Sequence, residues 1–178
     1  CSPSRTAIMT GVRPSSSGIY MNSPHFRVSP MLEHILTIPQ YFSKYGNYYT
    51  AARGKIFHRA MGKYADSISW NNFQNISGNT MMVHPKKMKN ILVNNTHYTN
   101  KKQALLDWGS LDIEFKETSD AQTAMWAANE LYKDHNDPFF IACGIFKPHL
   151  PWYLPKTFFN NFPLDKIELP NISLDDLN

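Results

Sequence analysis

Three features are scarce in this 178-residue sequence, and each scarcity excludes a class of protein. Two cysteines, Cys1 and Cys143, are too few for the disulfide framework of a small secreted domain. No apolar run reaches the roughly 18 to 20 residues of a membrane span. Charged residues make up only 18% of the chain, so the composition is not that of a disordered or coiled-coil protein.

Positive charge is in slight excess but is not concentrated. The formal net charge is +4, and the only paired lysines are Lys86–Lys87 and Lys101–Lys102. A protein that follows a nucleic-acid backbone carries a basic stripe, and none is present in the sequence. We therefore expect no nucleic-acid partner. This small excess of positive charge better suits a site in which a few cationic side chains bind a small anion.

Capping residues predict three helices. Each predicted helix has a Ser or Thr as its N-cap and ends close to a glycine or a proline. The N-caps are Ser2, Thr37 and Ser119, and the helices span residues 3–10, 38–45 and 120–134. In the third helix, Gln122 completes a capping box. Its apolar face is expected to pack in the core and consists of Ala121, Ala124, Met125, Ala128 and Leu131.

Two short segments, residues 48–52 and 139–145, predict strands. The second is an unbroken apolar run, which predicts a central strand with Cys143 as a small buried residue. A helix, a strand and then polar residues at the strand end indicate an α/β arrangement, in which ligands bind beyond the carboxyl ends of the strands. The chain has no internal repeat and no linker, which indicates one domain or a large part of one.

Two longer stretches predict irregular structure. Residues 12–30 are rich in Pro, Ser and Gly and predict a loop. Residues 60–103 carry many Asn, Lys and Met and show little periodicity. They predict a long excursion with one short strand at residues 90–93, and such excursions often form a binding surface.

A thiol and a guanidinium stand at the first predicted helix. Cys1 lies where unpaired backbone N–H groups and the helix dipole favour a thiolate. Arg5 follows about one turn later and could hold an anion at the same place. The alternative is a helix capped by Ser2 with Arg5 in solvent, and residue chemistry alone does not decide between them.

Two Lys–His pairs follow the predicted strands. Lys55 and His58 are three residues apart after the first strand, and Lys147 and His149 follow the second with Pro148 between them. A cation beside a titratable imidazole suits a site that binds an anion and moves a proton. Surface lysines and structurally satisfied histidines are the competing interpretation.

The remaining histidines give no sign of a metal site. None forms the HxxxH spacing, and no CxxC accompanies them, so zinc is not predicted. They have no clear partner in the sequence and are His25, His34, His84, His97 and His135.

The opening segment CSPSRTAIMTG resembles the sulfatase signature CxPSRxxxLTG, with Met9 in place of the usual leucine. Two further segments resemble sulfatases, TIPQYFSKYGNYYTAARGKIFH and FFIACGIFKPHLPWYLPKTFFNNFP. Within the family, TIPQYF, GKIFH and KPHLPW look most like the iduronate-2-sulfatase branch. The resemblance covers nearly the whole chain and is weakest over residues 60–103.

The resemblance implies an alkaline-phosphatase-like α/β fold around a mixed central sheet, with residues 1–178 as part of a single catalytic domain. It also implies that a formylglycine-generating enzyme oxidises Cys1 to formylglycine. In sulfatases the hydrated aldehyde attacks sulfur with one oxygen, and its second hydroxyl then allows sulfate to be expelled.

Catalytic roles on the nucleophile side follow from the same resemblance. Cys1 would be the nucleophile precursor, and Arg5 would hold the diol and help to balance its charge. His58 would accept the diol proton when sulfate is released.

On the substrate side, the resemblance implies that Lys55 binds the sulfate oxygens. His149 would contact the sulfate or protonate the leaving oxygen. Lys147 occupies a family position and would be a further substrate-binding residue. Cationic donors of this kind stabilise the charge that spreads onto oxygen during sulfuryl transfer.

The family binds one Ca²⁺ through acidic and amide oxygens, as a hard cation requires. By resemblance these ligands lie outside residues 1–178, and only position 1, as formylglycine, would contact the metal from this chain. Asp175–Asp176 is an acidic pair in a tail-like context and is not expected to bind metal. We therefore expect a fragment that starts at the catalytic cysteine, is inactive by itself and exposes apolar sheet edges.

The resemblance predicts a sulfatase that cleaves O-sulfate esters of sulfated carbohydrates outside the cytoplasm, in the periplasm, a lysosome or secreted. One alternative is a phosphonate or phosphate monoester hydrolase of the same superfamily. Another is a non-catalytic pseudo-sulfatase that binds sulfated glycans. A redox or cysteine-protease role for Cys1 has the least support, because no resolving cysteine lies near it in the sequence.

Overall fold

The computed structural model describes residues 1–59, 62–76 and 108–171. The chain divides into two compact units, Cys1–Met82 with Lys116–Pro148, and Val83–Phe115 with His149–Asn178. Each unit is described by itself. The strand predicted at residues 90–93 and the pair Asp175–Asp176 lie outside the described residues.

The described residues form five helices and five strands, joined by turns and short 3₁₀ segments. The helices are α1 (Ser2–Thr10), α2 (Pro14–Ser17), α3 (Ile38–Gly46), α4 (Ser119–Leu131) and α5 (Lys156–Phe159). The strands are β1 (Tyr49–Gly54), β2 (Asn72–Gln74), β3 (Trp108–Leu111), β4 (Phe139–Gly144) and β5 (Trp152–Pro155).

A parallel sheet organises the first unit. Its described strands run in the order β2–β1–β4, and β1 pairs with both neighbours in parallel. Gly54 at the end of β1 is in register with Gly144 at the end of β4. Parallel strands and crossover helices agree with the predicted α/β class.

The middle strand of this sheet is not the one that the sequence predicts. β1 is central, whereas β4 pairs only with β1 among the described residues. With one described neighbour, β4 remains partly exposed along most of its length. Cys143 is accordingly exposed, so its prediction as a buried residue was wrong.

Helix α1 begins one residue earlier than predicted. Its N-cap is Cys1, and Ser2 is a buried residue of the first turn whose backbone N–H donates to Asn22 Oδ1 at 2.9 Å. The predicted end at Gly11 is confirmed, because Gly11 adopts a left-handed φ of 72° and donates to the Ala7 carbonyl. The first helix therefore presents the Cys1 side chain at its N-terminus.

The other caps are confirmed in part. Thr37 and Gln40 form a capping box at α3, which ends at Gly46 with Asn47 as the left-handed C-cap. At α4 the cap is Thr118, one residue before the predicted Ser119, and its hydroxyl accepts from the Ala121 N–H. The predicted loop over residues 12–30 contains α2 and a 3₁₀ turn at Phe26–Val28.

The face that α4 buries differs from the predicted apolar stripe. Only Ala121 of that stripe is buried, while Met125 and Leu131 are 56% and 59% exposed. Thr123 and Glu130 are buried instead. Helix α4 contacts β1 and β4, and Thr123 lies beside Gly54 where the two strand ends meet.

A buried ion pair that the sequence analysis did not anticipate supports the segment before α3. Arg27 donates to both carboxylate oxygens of Asp66, at 2.7 and 2.9 Å, and also to the Ile35 carbonyl. His25 Nε2 lies 3.7 Å from the same carboxylate, and its ring packs on Phe26. His25 therefore has partners after all, and this bidentate geometry is typical of structural Arg–carboxylate pairs.

The core of the first unit lies beside this ion pair. The Phe26 and Phe57 rings stack with centroids 5.2 Å apart. The buried residues of this core are Met9, Ile19, Phe26, Leu32, Ala52, Phe57 and Trp70. Because residues of α1, β1 and the segment after β1 share this core, packing holds the N-terminal helix close to the sheet.

The second unit is smaller. Strands β3 and β5 pair in parallel, with Trp108 opposite Trp152, and α5 follows β5 directly. The Phe115 ring meets the Phe158 ring edge-on at 5.7 Å. No described helix in either unit is long and apolar enough to cross a membrane.

Two glycines allow the ends of β1 and β4 to meet. Gly54 has a φ of 90°, and a Cβ atom on it would stand 2.1 Å from the Gly144 carbonyl oxygen. A Cβ atom on Gly144 would stand 2.3 Å from the Lys55 nitrogen. The Lys55 N–H donates to the Gly144 oxygen at 2.8 Å. This hydrogen bond fixes the backbone position from which the Lys55 side chain extends.

We expect Gly54→Ala to destabilise the protein more than Gly18→Ala. Both glycines have positive φ, and Ala there costs about 1–2 kcal/mol; Gly18 has open space around it, whereas Gly54 does not. The overlap should lower the free energy of unfolding by about a further 1–3 kcal/mol. Urea unfolding of both variants measures the difference, and equal losses would contradict the close contact.

Candidate active site

A cavity of about 570 Å³ opens at the carboxyl ends of β1 and β4 in the first unit. Residues of α1, of the segment after β1 and of the end of β4 line it. They include Cys1, Ser4, Arg5, Lys55, Ile56 and Cys143. The strand ends thus form a cavity at the edge where α/β sheets bind ligands.

Arg5 joins two sides of this cavity. Its Nε donates to Cys1 Sγ at 3.2 Å, and its Nη1 donates to the carbonyl oxygens of Lys55 and Ile56, the latter at 2.8 Å. Burial lowers the pKa of the Arg5 guanidinium, which still remains charged. One side chain therefore orients the residue at position 1 and ties it to the segment after β1.

Lys55 supplies a second cation. It is only 3% exposed, and its Nζ lies 4.5 Å from the centre of the Phe146 ring. Burial, with a further contribution from the charge of Arg5, lowers the pKa of Lys55 to about 8. The ammonium form therefore predominates at neutral pH, and the residue titrates in the mildly alkaline range.

Lys147 is a third cation in this region and lies near an aromatic ring that Lys55 also contacts. Its Nζ lies 5.6 Å from the centre of the same Phe146 ring, and Lys147 is not among the residues that line the cavity. Burial lowers the pKa of Lys147, and the charge of Asp120 opposes that shift. The Asp120 carboxylate accepts from the backbone N–H groups of Phe146 and Lys147, at 2.8 and 2.9 Å.

The two predicted histidines are placed differently. His58 follows β1 in the first unit, is half-buried and does not line the cavity. His149 belongs to the second unit, is exposed, and has its Nδ1 2.5 Å from the Leu150 carbonyl oxygen. The structure thus brings Cys1, Arg5 and Lys55 together, and the catalytic roles of both histidines remain predictions.

Three residues of this region were missed in the sequence. Asp120 resembles any acidic residue in a first helical turn, and Phe146 resembles any apolar residue after a strand. Cys143 lines the cavity. Although the residue as a whole is exposed, partial burial of its thiol, with a smaller effect from Asp120, raises the pKa of that thiol. No spacing signal connects these residues, because they meet only when α4 packs on β4.

The described residues do not fit the calcium ion that the resemblance implies. Ca²⁺ takes six to eight oxygen ligands. Among residues 1–59, 62–76 and 108–171, no group of three His, Cys, Asp or Glu side chains could hold a metal ion. No chemical step below is therefore assigned to a metal.

A sequence model of the sulfatase family matches residues 1–171. The chain belongs to the sulfatase family. Its fold is therefore that of the alkaline-phosphatase-like superfamily, of which the parallel strands described above form a part. This confirms the resemblance of the CSPSRTAIMTG segment and of the two segments that end in GKIFH and begin with FFIACGIFKPH.

Relatives match the chain over most or all of its length. It is 33% identical over 187 residues to a sulfatase of Formosa agariphila, covering 100% of this chain and 35% of that protein. It is 31% identical over 183 residues to the iduronate 2-sulfatases of Mus musculus and Homo sapiens, covering 95% of this chain and 30% of each. The chain thus spans about a third of the length of these relatives.

The titration of Lys55 should control anion binding in the cavity. We expect the affinity for inorganic sulfate to fall as the pH rises through about 8, because the ammonium form loses its proton and its attraction for the anion. In Lys55→Arg the fall should move to much higher pH. Calorimetric titration at constant ionic strength measures both, and a flat profile in the unaltered protein would contradict this assignment.

Replacing Arg5 by lysine tests its bridging role. Lysine keeps the charge but cannot donate at once to Cys1 Sγ and to the two backbone carbonyls. We expect Arg5→Lys to lower the free energy of unfolding by about 1–3 kcal/mol. Arg13→Lys is the matched control, because Arg13 is exposed and its side chain donates to Ser16 Oγ, and its effect should stay within about 0.5 kcal/mol. Similar losses in the two variants would contradict the bridge.

Proposed function

We propose that the protein is a sulfuric ester hydrolase that cleaves O-sulfate esters of sulfated carbohydrates, and that this chain contributes the nucleophile side of its active site. One observation carries the proposal: the first cysteine of the CSPSR motif shares a cavity with Arg5 and Lys55. The relatives are named as a sulfatase and as iduronate 2-sulfatases, and these names support the proposal that the substrate is a sulfate ester of a sugar.

Position 1 suits a formylglycine. The side chain is exposed in the cavity, stands at the N-terminus of α1 and is within hydrogen-bond distance of Arg5 Nε. A hydrated formylglycine would supply an oxygen nucleophile together with a second hydroxyl through which sulfate is later released. Arg5 would orient that side chain, and its charge would stabilise negative charge on oxygen there.

Lys55 is proposed to bind the sulfate group. Its ammonium is buried, so it interacts with an anion more strongly than an exposed lysine would. Together with Arg5 it places two positive charges beside position 1. Among the described residues, none that lines the cavity is Asp or Glu, so no described carboxylate there competes with sulfate for these donors.

The remaining roles belong to the same proposal. His58 would accept a proton from the position-1 side chain, and His149 would contact the sulfate or protonate the leaving oxygen. Lys147 would be a further substrate-binding residue. Maturation by a formylglycine-generating enzyme and a location outside the cytoplasm complete the proposal.

The first experiment concerns position 1 itself. The full protein that carries this sequence is produced together with a formylglycine-generating enzyme, and the peptide with position 1 is analysed by mass and by an aldehyde-reactive probe. We expect replacement of the thiol by an aldehyde, and no labelling in Cys1→Ala. An unmodified thiol in a competent host would overturn the proposed mechanism.

The second experiment decides the reaction class. The matured protein is given sulfated disaccharides and, separately, phosphate and phosphonate monoesters. Release of sulfate, abolished in Cys1→Ala, is the expected result. Preferential release of phosphate or phosphonate would favour the other hydrolase class, and retention of the sulfated sugar without release would favour a pseudo-sulfatase.

A further inference from the structure

Two lysines that follow different strands share a single aromatic ring. Lys55 Nζ lies 4.5 Å and Lys147 Nζ 5.6 Å from the centre of the Phe146 ring. Phe146 is 6% exposed and Lys55 3% exposed, so water screens this contact little. Both distances are within the range of a cation–π interaction, which strengthens when the cation is desolvated.

The Phe146 ring offsets the repulsion between two positive charges in the cavity. Arg5 and Lys55 carry like charges in the same cavity, and their repulsion contributes to the lowered pKa of Lys55. A carboxylate beside Lys55 would relieve the repulsion, but it would also occupy the donors that bind an anion. The negative face of an aromatic ring attracts the ammonium without offering an oxygen that competes with sulfate.

Asp120 fixes the backbone that carries this ring. One carboxylate oxygen accepts from the Phe146 N–H at 2.8 Å, and the other accepts from the Lys147 N–H at 2.9 Å. Hydrogen bonds to a charged acceptor are stronger than neutral ones. One side chain of α4 therefore holds both consecutive N–H groups. Because α4 packs on β4, this packing fixes the backbone positions from which the Phe146 and Lys147 side chains extend.

We propose that Phe146 and Asp120 are positioning residues of the anion site: Asp120 holds the backbone of Phe146, and the Phe146 ring orients the ammonium of Lys55 in the cavity. Neither residue is proposed to contact the substrate. The inference rests on the proposed function only for the identity of the anion, a sulfate group.

The ring is tested by substitution in the full protein, with the dissociation constant of inorganic sulfate as the readout. Phe146→Leu keeps an apolar side chain but removes the ring, and it should weaken sulfate binding by about 2- to 30-fold. Phe146→Tyr keeps the ring face and should restore binding. Phe139→Leu is the matched control, because Phe139 lies at the opposite end of β4 and is partly exposed.

The carboxylate is tested by Asp120→Asn, since an amide cannot accept from both N–H groups in the same way. We expect faster hydrogen exchange of the Phe146 and Lys147 amides, and a higher KM for a sulfate ester with a smaller change in kcat. Asp137→Asn is the matched control, because Asp137 is exposed and bonds the side chain of Asn47.

The outcomes separate this inference from the proposed function. Unchanged sulfate affinity in a folded Phe146→Leu, or no recovery in Phe146→Tyr, would overturn the role of the ring. Unchanged amide exchange in Asp120→Asn would overturn the role of the carboxylate, and this measurement remains decisive if Phe146→Leu does not fold. If the unaltered protein neither binds nor releases sulfate, the proposed function fails and the sulfate-orienting role of the ring fails with it.

Discussion

Gly54 and Gly144 approach each other so closely, at the carboxyl ends of β1 and β4, that neither has room for a Cβ atom. This contact lets the Lys55 N–H bond the Gly144 oxygen. The same backbone segment then presents the carbonyls of Lys55 and Ile56 to Arg5. Thr123 of α4 packs against the end of β1 at Gly54. The cavity, its cations and the buried face of α4 therefore all depend on one close backbone contact.

The arrangement of charge follows from the way these elements meet. Arg5 comes from α1 and Lys55 from the segment after β1, and both line one cavity in which the described lining residues include no Asp or Glu. Burying like charges together is unfavourable, and backbone carbonyls and an aromatic ring offset part of that cost without neutralising the charges. Under the proposed function, the sulfate group of a bound ester would supply part of the missing counter-charge.

Local signals predicted α1, α3, α4, β1 and β4, which are half of the described helices and strands. Features that depend on contacts between distant residues were missed. The N-cap at Thr37 and the helix end at Gly11 were predictable because they involve residues a few positions apart, whereas the capping box lies at Thr37 and Gln40 and not at the predicted Ser119 and Gln122. The stripe that includes Met125 and Leu131 was wrong, because helix amphipathicity does not say which small residues must face a glycine contact. The exposure of Cys143 was likewise missed, since an apolar strand looks the same whether it has one neighbour or two.

The sequence by itself determined the family, through the CSPSR motif and the GKIFH and KPHLPW segments, and it named Cys1, Arg5 and Lys55 as one group. Motif chemistry is local, so the order of residues is enough to reveal it. Only the tertiary structure decided that Arg5 bridges Cys1 to the carbonyls after β1, and that Asp120 holds the backbone under the ring of Phe146. The bonds from Arg5 to the carbonyls and from the Phe146 N–H to Asp120 join residues 26 to 51 positions apart. No local sequence pattern predicts such contacts, because they form only when the strands pair and the helices pack.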